Sequence, residues 1–255
     1  VFPSPERGIK ALHQFFRFDG PAPLTASAPA ATTGLQLLTA EESTALLKKA
    51  AIPAMQVLPA ASPDEAAALA RKLEAPVALK IASPDIAHKS DVEGVRLNLS
   101  RDEEIRRAYS EIMAAAASST PGARLEGVTV SPMAKSGGLE VIVGVFRDPQ
   151  YGPVLMFGLG GIFTEIYRDV QFCLLPATDE EIRQTIRSVT GYPLLAGVRG
   201  QRPKDQTALV EIIKRVSQLA IDNPDLDQID LNPVLLYDEG ACVVDVRMFR
   251  RISQD

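Results

Sequence analysis

Three stretches of this sequence gather side chains able to do chemistry. In Leu79 to Val95, LKIASPDIAHKSDVEGV, an alternating β-prone segment delivers Lys80 and breaks at Ser83-Pro84. Asp85, His88, Lys89, Ser90 and Asp91 then crowd the loop before Gly94. The chain has only two histidines, and this imidazole, flanked by a cation, a hydroxyl and a carboxylate, is able to act as nucleophile or proton carrier. The competing reading is a polar surface turn, because loops carry such residues without function. The second stretch, Gly158-Leu159-Gly160-Gly161, directly follows the apolar run Val154 to Phe157. Glycines there let backbone approach a ligand closely, although tight turns and bulges use them too. Phe163 occupies the last glycine position of a G-x-G-x-x-G fingerprint and no G-K-[ST] follows, so Rossmann and P-loop readings fail. The third stretch holds Asp230, Asn232 and Asp245. Three oxygen-bearing side chains on adjacent strands suit a hard divalent cation, and strand-end Asn and Asp are also ordinary turn residues.

The elements that must position these groups follow from pattern. Thr39 to Ala51 reads as a helix capped by Thr39 and Glu42, and Ser62 to Leu73 as a second opening on Ser62-Pro63. Arg101 to Ala117 is a third, acidic at its start, where the positive end of the helix dipole favours carboxylates. Gly127 to Met133 and Leu139 to Phe146 alternate, and are expected to form an antiparallel pair joined by the turn Lys135 to Gly138. Thr178 to Val189 and Asp205 to Ile221 are further amphipathic helices, separated by the loop Gly197-Val198-Arg199-Gly200. The chain closes with a hairpin, Gln228 to Leu236 and Ala241 to Val246. Before all of this, Val1 to Phe18 reads as a short helix containing His13, expected to be a partly exposed helix residue, and Pro21 to Gly34 as a flexible linker.

Composition narrows the function. At 255 residues the chain suits one large domain or two packed lobes. No apolar run approaches the roughly 20 residues of a membrane helix. A net charge of -5 argues against a general nucleic-acid binder, which needs a basic stripe to neutralise phosphates. Cys173 and Cys242 are far apart and form no metal-ligand spacing, which favours a reducing cytosol. The first residue is Val1, and no signal-peptide pattern follows it, so the sequence reads as a piece of a longer chain.

Taken in combination, these motifs resemble the ATP-grasp fold. More narrowly, they resemble the nucleotide-binding domain or beta subunit of the ADP-forming acyl-CoA synthetases, such as acetate-CoA ligases, with succinyl-CoA synthetase beta more distant. The resemblance runs from Leu38 to Arg250 through LTAEESTALLKKAAIP, ALKIASPDIAHKSDVEGV, VSPM, GGLEVIVGVFRDPQYGPVLMFGLGGIFTEIYRDV, GYPLLAGVRG and IDLNPVLL with VVDVRM. It implies an α/β (α+β) fold of two lobes clasping a nucleotide. Residues 1–19 would then be the tail helix of a preceding CoA-ligase domain and 20–36 a linker. Residues 37–255 would be the ATP-grasp domain, with 57–125 the smaller lobe and 37–56 plus 126–255 the larger.

The resemblance also implies roles. Lys80 meets the nucleotide phosphates; Val130, Ser131 and Met133 belong to the hinge that receives adenine; Glu140 is the acidic residue after it. Asn232 and Asp245 are ligands of Mg2+. His88 is the histidine of the HKSD loop, a phosphohistidine relaying phosphoryl from a histidine of the CoA-ligase half to ADP, and Asp91 orients its ring. Gly160, Gly161, Glu165 and Asp169 belong to the glycine loop and its ordering, and Arg199 is a phosphate-contact candidate. ATP/ADP and Mg2+ are the implied cofactors. CoA-binding and CoA-ligase domains or an alpha subunit are the implied partners, in the cytoplasm. Glu93 departs from the family's usual first glycine, Cys173 from a common arginine, and Thr44 from a usual lysine. An alternative with the same fold is a regulatory nucleotide-binding module without turnover, as in fusions to a lysine acetyltransferase. A carboxylate-amine ligase is a third reading, but it has no need of the HKSD histidine.

Overall fold

The computed structural model describes residues 34–74, 76–86, 89–161, 169–198 and 200–252. The expected helix and linker before Gly34 lie outside the described residues. The chain divides into two compact units, one of Leu37–Leu46 with Ala54–Ser136, the other of Leu47–Pro53 with Gly137–Asp255 and the residues up to Gln36.

The smaller unit is a four-stranded sheet, all of whose pairings are antiparallel. Its order is β2 (Leu58–Ala60), β5 (Gly127–Pro132), β3 (Val77–Ala82), β4 (Val95–Leu99). Helices α2 (Pro63–Lys72) and α3 (Asp102–Ser119) pack on each other and against the sheet. Ser62 caps α2 by accepting from the Glu65 N–H at 3.2 Å. The core under these helices includes Val77, Leu79, Ile81, Ile105, Ile112, Val128 and Val130. Each large apolar side chain so buried contributes about 1.5–3 kcal/mol. Helix α1 (Ala40–Lys49) opens on the expected reciprocal cap: the Thr39 N–H donates to Glu42 Oε2 at 2.8 Å and the Glu42 N–H to Thr39 Oγ1 at 3.2 Å.

The larger unit is a seven-stranded sheet in the order β1 (Leu35–Leu37), β11 (Val246–Arg251), β9 (Leu226–Leu236), β6 (Leu139–Asp148), β7 (Gly152–Leu159), β8 (Val170–Leu174), with β10 (Ala241–Val243) also on β9. Helices α4 (Asp179–Arg187) and α6 (Gln206–Asp222) cover one face; α5 is the short Tyr192–Ala196. Thr178 and Glu181 form a capping box on α4, and the Arg147 guanidinium closes the other end of α6 by donating to the carbonyls of Ala220, Asn223 and Leu226.

One expected pairing is overturned. Gly127 to Met133 does not pair with Leu139 to Phe146, because β5 lies between β2 and β3 while β6 lies between β7 and β9. Alternation identifies a strand but not its neighbour. Both edges of each strand are already hydrogen-bonded within separate sheets, so the segment around Gly137-Gly138 joins two sheets rather than two arms of a hairpin.

Candidate functional site

In the smaller unit, Lys80 sits opposite Val95 on one side and Thr129 on the other. Val77, Leu79 and Ile81 are fully buried toward the helices. Strand alternation therefore sends Lys80 to the other face, with Ala78 and Ala82 and, by register, Thr129 and Ser131. Thr129 and Ser131 are polar side chains with only 8% and 9% exposure. Val130 points the opposite way, into the helix-covered core, so it offers a ligand no side chain. The Met133 N–H is taken by Pro76 O at 3.0 Å. By this register the Ser131 side chain shares a face with Lys80.

His88 lies outside the described residues, but the loop that carries it is anchored at both ends. Asp85 accepts from the Arg124 N–H at 2.7 Å. After Lys89, the Gly94 N–H donates to Lys89 O and the Ile81 N–H to Gly94 O, both at 2.8 Å. A Cβ on Gly94 would meet Ile81 Cγ2 at 2.5 Å and Lys89 O at 2.8 Å, so only glycine fits. Asp91 is exposed in the intervening turn, where the Glu93 N–H donates to Ser90 O at 3.2 Å. Glu93 has φ +51, the left-handed region. That gives the departure at this position a physical cost. A non-glycine residue there loses about 1–2 kcal/mol, part of which glycine would return as chain entropy. Glu93→Gly is expected to raise stability by about 0.5–1 kcal/mol, read as a higher urea midpoint at constant slope. The Arg96 bond to Glu93 O, at 2.9 Å, would survive it.

In the larger unit, β7 delivers the glycine loop onto Glu140. The Gly160 N–H donates to Glu140 O at 2.7 Å. A Cβ on Gly160 would lie 2.8 Å from Glu140 Cβ, and Gly161, at φ +63, passes beside Glu140 Oε2. These three residues form one patch at the ends of β6 and β7. Glu165 and Arg199 lie outside the described residues. Asp169 holds the next turn, accepting from the N–H groups of Thr190 and Gly191, each at 2.9 Å. Cys173 is buried against α4, where burial pushes its thiol pKa up, with the Thr185 hydroxyl opposing. Its departure from the family pattern lies in the core.

The terminal hairpin brings Asn232 and Asp245 together. The pairing of β9 with β10 continues without slip into β9 with β11, from Val243↔Val234 to Val246↔Leu231. Asn232 therefore stands directly opposite Asp245, and its N–H donates to Asp245 O at 3.1 Å. On its other side β9 carries one extra residue against β6, since Val141 pairs with Val234 but Val143 with Leu231. This bulge spans Asn232 and Pro233. Leu231 and Val234 on either side of it are both fully buried, while Asn232 and Pro233 are half-buried. The Asp230 carboxylate forms an ion pair with the Arg247 guanidinium opposite it.

Sequence reasoning missed the bulge and the clamp at the hairpin tip. The signal for the first was present, as Pro233 inside an apolar strand whose alternation changes phase. The clamp is Lys204-Asp205. Lys204 Nζ donates to Asp238 Oδ1 at 2.8 Å and Gly137 O at 3.1 Å. Asp205 accepts from the N–H groups of Ala208 at 2.9 Å and Gly240 at 2.8 Å, bonds that hold its carboxyl below the usual range.

Among the described residues no group of three or more His, Cys, Asp or Glu could hold a metal. One amide oxygen and one carboxylate side by side nevertheless fit Mg2+, which takes one or two protein ligands and completes its shell with phosphate oxygens and water.

The chain belongs to the ATP-grasp domain family, whose model matches residues 29–249. Within that family it stands with the ADP-forming acyl-CoA synthetases. It is 44% identical over 207 residues to the beta subunit of acetate–CoA ligase [ADP-forming] I of Pyrococcus furiosus, covering 81% of this chain and 89% of that protein. It is also 44% identical to acetate–CoA ligase [ADP-forming] I of Archaeoglobus fulgidus over 72% of this chain, but spans only 27% of that longer protein. Among solved structures, acetyl-coenzyme A synthetase 1 of Ca. Korarchaeum cryptofilum, in complex with coenzyme A, Ca-AMPCP and HgCl+, matches with TM-score 0.81 and 40% identity over 85% of this chain and 94% of that one. The same enzyme with coenzyme A and Mg-AMPPCP, its phosphohistidine segment pointing towards the nucleotide binding site, matches with TM-score 0.71 and 38% identity over 85% and 93%.

Proposed function

We propose that this chain is the ATP-grasp component of an ADP-forming acyl-CoA synthetase, moving a phosphoryl group between ATP or ADP and a histidine while CoA-binding and CoA-ligase partners interconvert carboxylic acid and acyl-CoA. In this reading residues 1–19 and 20–36 are the tail and linker from a CoA-ligase domain, and the setting is cytoplasmic. The observation that supports it best is the Asn232 to Asp245 pairing across the hairpin, in a chain whose relatives are named as such ligases.

The chemistry follows from the residues. Lys80 holds phosphate oxygens as a compact charge on a flexible stem. Ser131 and the backbone near Met133 receive the adenine, and Glu140 with Gly160 and Gly161 borders the nucleotide. Asn232 and Asp245 hold Mg2+, which neutralises charge on the phosphates when bound. His88, neutral at its attacking nitrogen, forms a bond to the γ-phosphorus as the bond to ADP breaks. The reverse step returns phosphoryl to ADP. Water must be kept from the phosphohistidine, which would otherwise hydrolyse.

The test is calorimetric titration of ATP with and without Mg2+ into the chain and its Lys80→Ala variant. Loss of a charge-assisted phosphate contact is expected to weaken Mg-ATP binding roughly 10- to 100-fold. Unchanged affinity would remove Lys80 from the site.

A further inference from the structure

The terminal hairpin carries a second cross-strand pair beside the proposed metal ligands. Asp230 precedes Asn232 by one strand repeat on β9, and Arg247 follows Asp245 by one on β11. The two pairs are adjacent rungs, Asp230 opposite Arg247 and Asn232 opposite Asp245. Leu231 between the two β9 residues is fully buried, so Asp230 and Asn232 leave the strand on the same side. Directly opposed side chains in such a ladder lie within about 5.5 Å at Cβ, and those one rung along a strand within about 7–8 Å. Asp230 and Arg247 are both mostly covered, with side-chain exposures of 25% and 23%.

We propose that Arg247 is a specificity-determining residue of this hairpin: by holding the Asp230 carboxylate, it keeps the cation site to one carboxylate and one amide, so that Mg2+ is retained only with nucleotide phosphates. The inference rests on the ATP-grasp reading above. Its physical basis is charge count. With Arg247 in place the four side chains carry a net charge of about -1, from two carboxylates and one guanidinium. Without it they carry about -2 and offer three oxygen-bearing side chains, and affinity for hard cations rises with carboxylate number. A cation held in the absence of nucleotide would also hold the diphosphate product after transfer.

The experiment measures Mn2+ binding by electron paramagnetic resonance, first without nucleotide and then with the nonhydrolysable analogue AMPPCP, on the parent chain, Arg247→Met and Asp230→Asn. Arg247→Met frees a carboxylate and is expected to tighten nucleotide-free Mn2+ binding on the order of tenfold or more. Asp230→Asn leaves the guanidinium beside Asp245 and is expected to weaken Mn2+ binding in the presence of AMPPCP by a similar factor. The combined variant, Asp230→Asn with Arg247→Met, should return nucleotide-free binding to the parent level. Opposite signs for the two single variants support the proposal. Weakening in both, as a merely structural ion pair predicts, or no change in either, overturns it. Should Arg247→Met fail to fold by circular dichroism, Arg247→Lys and Asp230→Asn carry the test: the lysine keeps the charge and should stay near the parent, while Asp230→Asn must still weaken. An Asp245→Ala control separates this failure from that of the site itself. If it leaves nucleotide-dependent Mn2+ binding intact, the ATP-grasp metal assignment fails; if it abolishes that binding while Arg247 and Asp230 have no effect, only the specificity role fails.

Discussion

His88→Ala is expected to abolish phosphoryl transfer through this chain, by at least about 10³-fold, while leaving Mg-ATP binding nearly unchanged. The reason is chemical. Alanine removes the atom that bonds to phosphorus, and no increase in positioning or electrostatic stabilisation replaces a missing nucleophile. Of the neighbours in the loop, Ser90 is a poor nucleophile without a base, and Asp91 is exposed. Two measurements check it. Incubation with ATP labelled at the γ-position should leave acid-labile label on the parent and none on the variant. Acyl-CoA formation in a system reconstituted with CoA-ligase partners should fall in parallel. Turnover equal to that of the parent would sink the relay and favour a ligase that passes phosphoryl directly to its acid. Loss of ATP binding together with transfer would instead make His88 part of the nucleotide site.

Asp245→Ala carries the second large effect, a loss of roughly 100-fold or more in Mg-dependent ATP affinity. A carboxylate that would hold a cation on the nucleotide would supply several kcal/mol of charge stabilisation. The fold should survive the change, because it is the main-chain carbonyl of residue 245 that accepts the Asn232 N–H. Among the side-chain bonds lost is that from the Val246 N–H at 3.0 Å. Titrations with and without Mg2+ separate the two roles. A metal ligand affects only the Mg-containing arm, so equal weakening in both arms would point to a structural role for Asp245.

Much of the scaffold under the candidate site was legible because its residues lie close together in sequence or follow local rules. The Lys80 strand, its break at Ser83-Pro84 and the return at Val95 come from alternation and proline chemistry, and β3 and β4 bear them out. The caps at Thr39, Ser62 and Thr178 are likewise local, each a side chain reaching a backbone N–H three residues on. Glu93 is instructive. Its unusual position was visible as a change from the family's glycine, but its physical meaning, a left-handed backbone, required coordinates.

What the sequence by itself determined were the longer helices and strands, the chemical inventory and the family, but not the short strands Leu35–Leu37, Leu58–Ala60 and Val170–Leu174 or the helix Tyr192–Ala196: periodicity, capping and turn residues act over a few positions and need no knowledge of neighbours. Only the tertiary structure decided which strands meet. It set β5 and β6 in different sheets, paired Asp230 with Arg247, and opened a bulge at Asn232-Pro233 that sets both residues apart from the buried row. It also joined Lys204 and Asp205 to the hairpin tip more than 30 residues away in the chain. The physical reason is that pairing, register and ion-pair choice depend on the edges and charges other segments leave open, and these are set by burying one face of each sheet.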